Sequence, residues 1–395
     1  MKILLIQPSL NWAHPWCEAP STALLILGTL AQNKGHQVKI LHLDIDQQQD
    51  ISEVIKTYHP DIIGVTINTF EVKSARYIVK ATRKISKDIK IVIGGPHAGV
   101  WDREADEVVI GEGENRWLET LGETPSINSI NDVPPINYDL VDLRRFVGIG
   151  PHVGAVPSMC IMASRGCPNQ CTFCNTPVFW GKKVRYRDAE LVLDEVERLH
   201  RDYGMREIMF QDDTFNLNHT WASQIFEGLI RRGLSKEMIF RITGRVNEKL
   251  VTKEYLDLAY KAGVWNIFYG VESGSQYMLN RMKKHITVEE IKRAVRMTHE
   301  AHITTICSFI VGLPGESRQT LDETNRLIHE IKPYHYGWGF GCPFPKTEFK
   351  EEVIRKGHIQ DKDYSEYTYG MLIVRTNKLS YEDLKGFKGF SYQGG

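Results

Sequence analysis

Short apolar runs alternate with amphipathic stretches along most of the chain. Met1–Ile6 is nearly continuously apolar and ends at Gln7-Pro8. A run of this length predicts a strand, Lys2–Ile6, buried on both faces. Ser21–Lys34 follows as a helix, with Pro20 before it and Gly35 at its stop. Val38–Leu43 is a second strand and Ile51–Tyr58 a helix. Asp61–Ile67 is a third strand. Val72–Ser86 is a helix, with Ala75, Ile78, Val79 and Thr82 at helical spacing. Ile89–Ile93 runs into Gly94-Gly95-Pro96. Glu107–Ile110 is a last short strand, followed by Gly111-Glu112-Gly113 and a helix through Leu121. Alternation of this kind predicts a Rossmann-like, doubly wound parallel sheet with helices on both faces.

The rhythm breaks over residues 122–158. Prolines at 125, 134, 135, 151 and 157 and glycines at 148, 150 and 154 predict an irregular bridge and a domain boundary. A second series then begins. Its strands are Met159–Ala163, Glu207–Phe210, Met238–Ile242, Trp265–Tyr269, Thr304–Val311 and His335–Phe340. Helices fill Ala189–Tyr203, Trp221–Arg232, Lys253–Ala262, Val288–Ala301 and Thr320–Ile331. Six strand–helix units predict a partial (β/α)6 barrel, short of the full eight. The expected division is a Rossmann-like domain over 1–122, a linker over 123–157, the partial barrel over 158–342, and a cap or tail over 343–395.

Composition adds exclusions. At about 150 residues per domain, 395 residues suggest two to three domains. Lys plus Arg is 49 and Asp plus Glu is 49, so there is no basic excess to suggest a nucleic-acid partner. No run approaches 18 apolar residues, and no membrane span is expected. The opening apolar run is too short for a secretory leader. A cytoplasmic setting is expected, where thiols stay reduced and clustered cysteines suggest metal binding.

Three of the seven cysteines, Cys167, Cys171 and Cys174, crowd into SRGCPNQCTFCNTP, just after the first strand of the second series. Iron–sulfur clusters are held by cysteine thiolates on short loops. With three thiolates, a [4Fe–4S] cluster keeps one iron open to a small molecule. Structural zinc is the alternative, but it wants four ligands in two spaced pairs, and no second pair exists. His152 and Cys160 lie at no regular spacing for a fourth ligand. Of the other cysteines, Cys307 and Cys160 read as packed in strands. Cys17 and Cys342 fall near domain mouths. Cys342 ends the sixth strand, where a thiyl donor or a cluster ligand is one reading and a small buried hydrophobe the other. The aromatics Tyr334, Tyr336, Trp338, Phe340 and Phe344 either line a flat apolar substrate pocket or pack against helices.

The cysteine spacing, C-x3-C-x-aromatic-C with Phe173 in the aromatic place, resembles the signature of the radical S-adenosylmethionine (SAM) superfamily. FQDDTFNLN (210–218), GRVN (244–247), YGVESGS (269–275) and FIVGLPGES (309–317) resemble that family's later strand-end motifs. GHQVKILHLDI, DIIGVTI, IVIGGPHAG and VVIGEGE resemble the cobalamin-binding domain of one large subgroup, as does the linker INDVPPINYDLVDL. The whole chain thus looks like a cobalamin-binding-domain radical SAM protein, similar to the class B methyltransferases.

The resemblance implies cofactors and roles. The open iron of a [4Fe–4S] cluster would chelate the amino and carboxylate groups of SAM. One electron would break a carbon–sulfur bond, and the 5′-deoxyadenosyl radical would take hydrogen from an unactivated carbon. Flavodoxin or ferredoxin would supply the electron, and the substrate would be a small molecule. Glu272 and Ser273, after the fourth strand, suit the SAM amino group or ribose; a turn-capping loop is the alternative. Gly312 and Pro314 suit backbone near the adenine, or a plain strand-to-helix turn. Arg245 suits a carboxylate, or a surface salt bridge. Asp213, beside Asp212, faces the substrate or forms an Asx turn. For cobalamin, the candidates are Asn68, Thr69 and Phe70, then Gly94, Gly95, Pro96 and His97, then Gly111, Glu112 and Gly113. All follow strand ends, where ligands of open α/β sheets collect; ordinary βα turns are the alternative.

One departure stands out. No D-x-H-x-x-G motif supplies a histidine to cobalt; His14, in QPSLNWAHPW, lacks the preceding Asp. Three functions stay open. The first is cobalamin-dependent methyl transfer. The second is radical cyclisation, oxidation or rearrangement, with cobalamin accessory or absent. The third is a non-catalytic cofactor-binding sensor.

Overall fold

The structure is a computed structural model that describes residues 1–10, 19–46, 49–146, 152–360, 362–368 and 370–390. His14 and Cys17 lie outside the described residues. Two compact units divide the chain. One is Met1–Gly148 with Lys362–Tyr369; the other is Ile149–Asp361 with Gly370–Gly395.

The first unit is built on five strands: β1 (Lys2–Gln7), β2 (Gln37–His42), β3 (Ile62–Thr66), β4 (Lys90–Gly94) and β5 (Glu107–Val108). Their order is β2-β1-β3-β4-β5, and every pairing is parallel. Helices α1 (Thr22–Asn33), α2 (Ile51–Tyr58), α3 (Val72–Ile85) and α4 (Glu114–Thr120) make the crossovers. Ile3, Leu4, Leu5 and Ile6 are all fully buried, as a central parallel strand requires. The order reverses between β1 and β3, and such a switch point is where this fold binds ligands.

Residues 123–146 contain three one-turn helices, Ile130–Asp132, Tyr138–Leu140 and Leu143–Arg145. They pack on the first unit. Tyr138 is buried, the Asn137 amide donates to Thr29 Oγ1 at 2.9 Å, and Arg145 reaches Asp46 at 2.7 Å.

The second unit is a curled parallel half-barrel. Its sheet uses β6 (Ser158–Ile161), β9 (Glu207–Phe210), β10 (Ile239–Gly244), β11 (Val264–Glu272), β12 (Thr304–Val311) and β13 (His335–Phe340), in the order β13-β12-β11-β10-β9-β6. A small antiparallel hairpin, β7 (Ser164–Arg165) with β8 (Arg185–Tyr186), interrupts the first crossover. Helices α5 (Thr176–Phe179), α6 (Ala189–Tyr203), α7 (His219–Arg231), α8 (Leu234–Glu237), α9 (Lys253–Lys261), α10 (Gln276–Arg281), α11 (Val288–Glu300) and α12 (Arg318–Ile331) follow, and α13 (Glu348–Arg355) and α14 (Tyr381–Lys385) belong to the C-terminal part. All six expected strands and five expected crossover helices form. The hairpin and the helices of four to six residues escape a periodicity reading because they span barely one turn.

Aromatics of β13 meet the C-terminal segment. Trp338 meets Phe387 with ring centroids 5.0 Å apart, and the Tyr336 hydroxyl donates to the Phe390 carbonyl at 2.6 Å. The C-terminal segment covers this face. Among the described residues no helix is long and apolar enough to cross a membrane.

Candidate active site

The cysteine loop leaves β7 through Gly166, whose φ is +101°. A Cβ there would lie 2.5 Å from the Lys183 carbonyl oxygen, so only glycine fits. The loop is pinned at several points. The Cys167 amide donates to the Gly181 carbonyl at 3.4 Å, and the Thr172 amide to the Met282 carbonyl at 3.0 Å. The Phe349 amide in turn donates to the Thr172 carbonyl at 2.9 Å. A turn closes at Cys174, whose amide donates to the Cys171 carbonyl at 3.1 Å.

All three cysteines line one cavity of about 210 Å³. The same cavity is lined by Asp213 just after β9, Gly244 and Arg245 from the end of β10, Gly270 and Glu272 from β11, Ser308 from β12, and Lys284. These are the C-terminal strand ends, where parallel αβ folds place their chemistry.

Glu272 is held in an uncommon conformation. Its φ is +68°, at a register shift between β11 and β12. A non-glycine residue there costs on the order of 1–3 kcal/mol, which the surroundings must offset. They do so through its carboxylate. Lys284 Nζ sits 2.7 Å from Oε1, and Ser308 Oγ donates to Oε2 at 3.3 Å. Gly270 makes room for the pair, because a Cβ would lie 2.7 Å from Glu272 Oε1 and 2.9 Å from Lys284 Nζ. The same ammonium lies 5.9 Å from the centre of the Phe173 ring, inside the cysteine motif.

Arg245 lines the cavity and is no surface salt bridge. It is buried, and its guanidinium donates to the Asn247 side chain at 3.1 Å and to the Lys284 carbonyl. Its part is to hold the turn that carries Lys284. Asp213 accepts from Thr176 Oγ1 at 2.9 Å, and burial raises its pKa. Lys284 was not singled out in the sequence. The run RMKKH reads as a solvated charge cluster, and only the fold turns this one lysine inward.

The lining residues fit the implied groups. Burial raises the Cys174 pKa, and the neighbouring Cys171 and Cys167 add to the rise. Thiols crowded in this way favour a shared cationic partner. Among the described residues no three His, Cys, Asp or Glu side chains converge as one ion requires. A cluster seats its thiolates on separate irons, so they need not converge so closely. The Glu272–Lys284 pair offers one charge of each sign to a zwitterionic amino-acid head.

Other candidates lie elsewhere. Ser273 is buried, its Oγ 3.2 Å from Thr324 Oγ1. Gly312 has φ +86° and donates its amide to Glu316 at 3.1 Å; a Cβ would meet Leu384 of α14 at 3.5 Å. The Pro314 carbonyl accepts from Arg281 at 2.9 Å. Cys342 is largely buried, with its pKa pushed up to about 12 by desolvation, and it does not line the cavity. Cys307 is fully buried and Cys160 is buried in β6.

In the first unit, the candidate residues lie at or follow the C-terminal ends of β3, β4 and β5. Asn68 Oδ1 accepts from the Phe70 amide at 2.9 Å, and the Asn68 amide donates to Glu71 at 2.8 Å. His97 is buried, with Nδ1 3.2 Å from Thr69 Oγ1. Gly95 has φ +97° and packs on Ile67, where a Cβ would lie 2.7 Å from a carbonyl oxygen. Around Gly94 and Gly111, by contrast, a Cβ would meet nothing within 4 Å. The loop backbone is open to a bound group at these two positions. Pro96, Glu112 and Gly113 lie in the same loops.

Comparison with known proteins agrees. Residues 161–328 match the Radical SAM superfamily, and residues 17–120 match the B12 binding domain. A protein of Pyrococcus horikoshii named as an uncharacterized methyltransferase is 28% identical over 406 residues, covering 93% of this chain and 86% of that one. The anaerobic magnesium-protoporphyrin IX monomethyl ester cyclase of Cereibacter sphaeroides is 28% identical over 379 residues. That match covers 86% of this chain but only 60% of the cyclase. Among solved structures, the radical S-adenosylmethionine methyltransferase TsrM of Kitasatospora setae, with cobalamin and a [4Fe–4S] cluster bound, superposes with a TM-score of 0.69. That superposition covers 90% of this chain and 75% of TsrM, at 20% identity. The chain is therefore an enzyme that joins a B12-binding domain to a radical SAM domain, with SAM, a [4Fe–4S] cluster and cobalamin as the implied cofactors.

Proposed function

We propose that this enzyme transfers a methyl group to an unactivated carbon of a small molecule. The observation that carries the proposal is the one cavity lined by Cys167, Cys171, Cys174, Glu272 and Lys284, in a chain whose residues 17–120 match the B12 binding domain. When bound, the cluster supplies the electron that splits SAM and cobalamin supplies the methyl group.

The chain's own residues do the rest. The three cysteines would hold the cluster as thiolates, beside the site for the amino-acid head of SAM. Glu272 would accept hydrogen bonds from the SAM amino group. Lys284, released from Glu272, takes the SAM carboxylate, and Arg245 fixes the turn on which it rides. Asp213 lines the same cavity beside the cysteine loop, bonded to Thr176, in reach of a substrate. Burial raises its pKa, which suits an acid that holds or moves a proton at its Oδ atoms. An acidic electron carrier such as flavodoxin or ferredoxin would deliver the electron.

The test uses SAM with a deuterated methyl group. The cluster- and cobalamin-loaded enzyme is incubated with a small-molecule extract and a low-potential reductant. A new product bearing the deuterated methyl group supports the proposal. The named cyclase relative favours a second reading, radical cyclisation. A product without label, formed together with 5′-deoxyadenosine, would select that reading.

A further inference from the structure

A segment from the far end of the chain belongs to the first unit. Residues 362–368 pack on α3 and on the turn Thr69–Glu71 that follows β3. Nothing in the sequence near Asp363 and Tyr364 resembles the B12-binding motifs.

The contacts are specific. The Tyr364 ring meets His97 edge-on, with centroids 4.5 Å apart and planes at 83°. His97 in turn reaches Thr69. The segment therefore touches two of the candidate loops, after β3 and after β4. Asp363 and Asp102 share the Arg76 guanidinium. Arg76 Nη2 lies 3.0 Å from both Asp102 oxygens and 3.1 Å from Asp363 Oδ2, and Nη1 bonds Asp363 Oδ1. Tyr367 is buried behind Tyr364, with ring centroids 4.9 Å apart.

Weights differ among these contacts. Asp363 and Asp102 are about half exposed, at 44% and 51%, so their ion pairs are screened and modest. The ring packing is the heavier part, because His97 is only 2% exposed and aromatic pairs add to their burial. The space beside Gly94 and Gly111 stays open, while the space beside His97 is filled by Tyr364.

We propose that residues 363–367 form one wall of the corrinoid site, with Tyr364 as the positioning residue that sets the His97 and Thr69 loops. This rests on the reading of the first unit as a working B12 site. His97 then acts through its loop, as a buried support.

The experiment uses the full chain with its cluster reconstituted, titrated with hydroxocobalamin and freed of unbound corrinoid. Bound corrinoid is read from its visible spectrum and Kd from equilibrium dialysis. Tyr364→Ala should weaken binding at least tenfold, Asp363→Asn several-fold, and Tyr364→Phe should bind as the parent does. Iron content and the melting profile of the second unit should not change. If Tyr364→Ala binds corrinoid as tightly as a parent that binds well, the wall is refuted and the B12 reading survives. If Tyr364→Phe fails as badly as Tyr364→Ala, ring packing on His97 is refuted as the cause. If the parent binds no corrinoid, the B12 reading fails, and the wall with it.

Discussion

Lys284→Met removes the ammonium that sits 2.7 Å from Glu272 Oε1. The two side chains are only 8% and 9% exposed, so water screens the pair little. The carboxylate keeps Ser308 Oγ at 3.3 Å, a long neutral contact. Breaking a buried pair by removing one partner costs about 3–5 kcal/mol, because the other charge is left uncompensated. A unit of this size shifts by about 2–4 °C per kcal/mol, so its Tm should fall by about 6–20 °C. Anaerobic thermal unfolding followed by circular dichroism measures this. Adding Glu272→Gln to Lys284→Met removes the stranded charge and should restore most of the stability. It should not restore SAM binding, measured by equilibrium dialysis, if the pair receives the amino-acid head. The reasoning is refuted if Lys284→Met stays within about 0.5 kcal/mol of the parent, a typical surface effect. It is refuted equally if the double variant binds SAM as the parent does.

Gly166→Ala should abolish cluster assembly, since φ is +101° and the Lys183 carbonyl fills the space of a Cβ; iron per chain after reconstitution checks it, and a full complement would count against the loop geometry. Gly270→Ala should push Glu272 and Lys284 apart and lower SAM affinity by an order of magnitude or more, with iron content unchanged. Burial pushes the Glu71 pKa up to about 8. A carboxyl raised in the folded state binds more protons there than when unfolded. Its contribution is therefore complete below about pH 4.5 and declines as pH rises to about 8, at up to about 1.4 kcal/mol per pH unit. Urea unfolding of the parent against Glu71→Gln should show that slope in the parent only; parallel curves would show that Glu71 carries no such linkage.

Strands such as β1 and β6 were legible because each is a short buried run. The cysteine loop was legible because its chemistry is local: three thiols within eight residues declare themselves. Lys284 was not. Its partner Glu272 lies 12 residues earlier, and periodicity carries no information on which of two adjacent lysines turns inward. Arg245 was visible as a candidate, but its real bonds, to Asn247 and to the Lys284 carbonyl, depend on that same turn. Gly312 and Pro314 sit in a motif that resembles a cofactor loop, yet Leu384, far along the chain, packs over Gly312. Tyr364 is the extreme case, since it meets His97 across most of the chain's length. Contacts of this kind follow from topology, which local pattern does not encode.

The central claim is that the three cysteines hold a cluster that splits SAM reductively. The direct measurement is 5′-deoxyadenosine formed from SAM and dithionite by the reconstituted protein, beside a Cys167→Ala, Cys171→Ala, Cys174→Ala variant. The parent should show the cluster absorbance near ~400 nm and release 5′-deoxyadenosine, and the variant should show neither. A variant that kept the band, or a parent with a full cluster and no 5′-deoxyadenosine even with candidate substrates, would contradict the account.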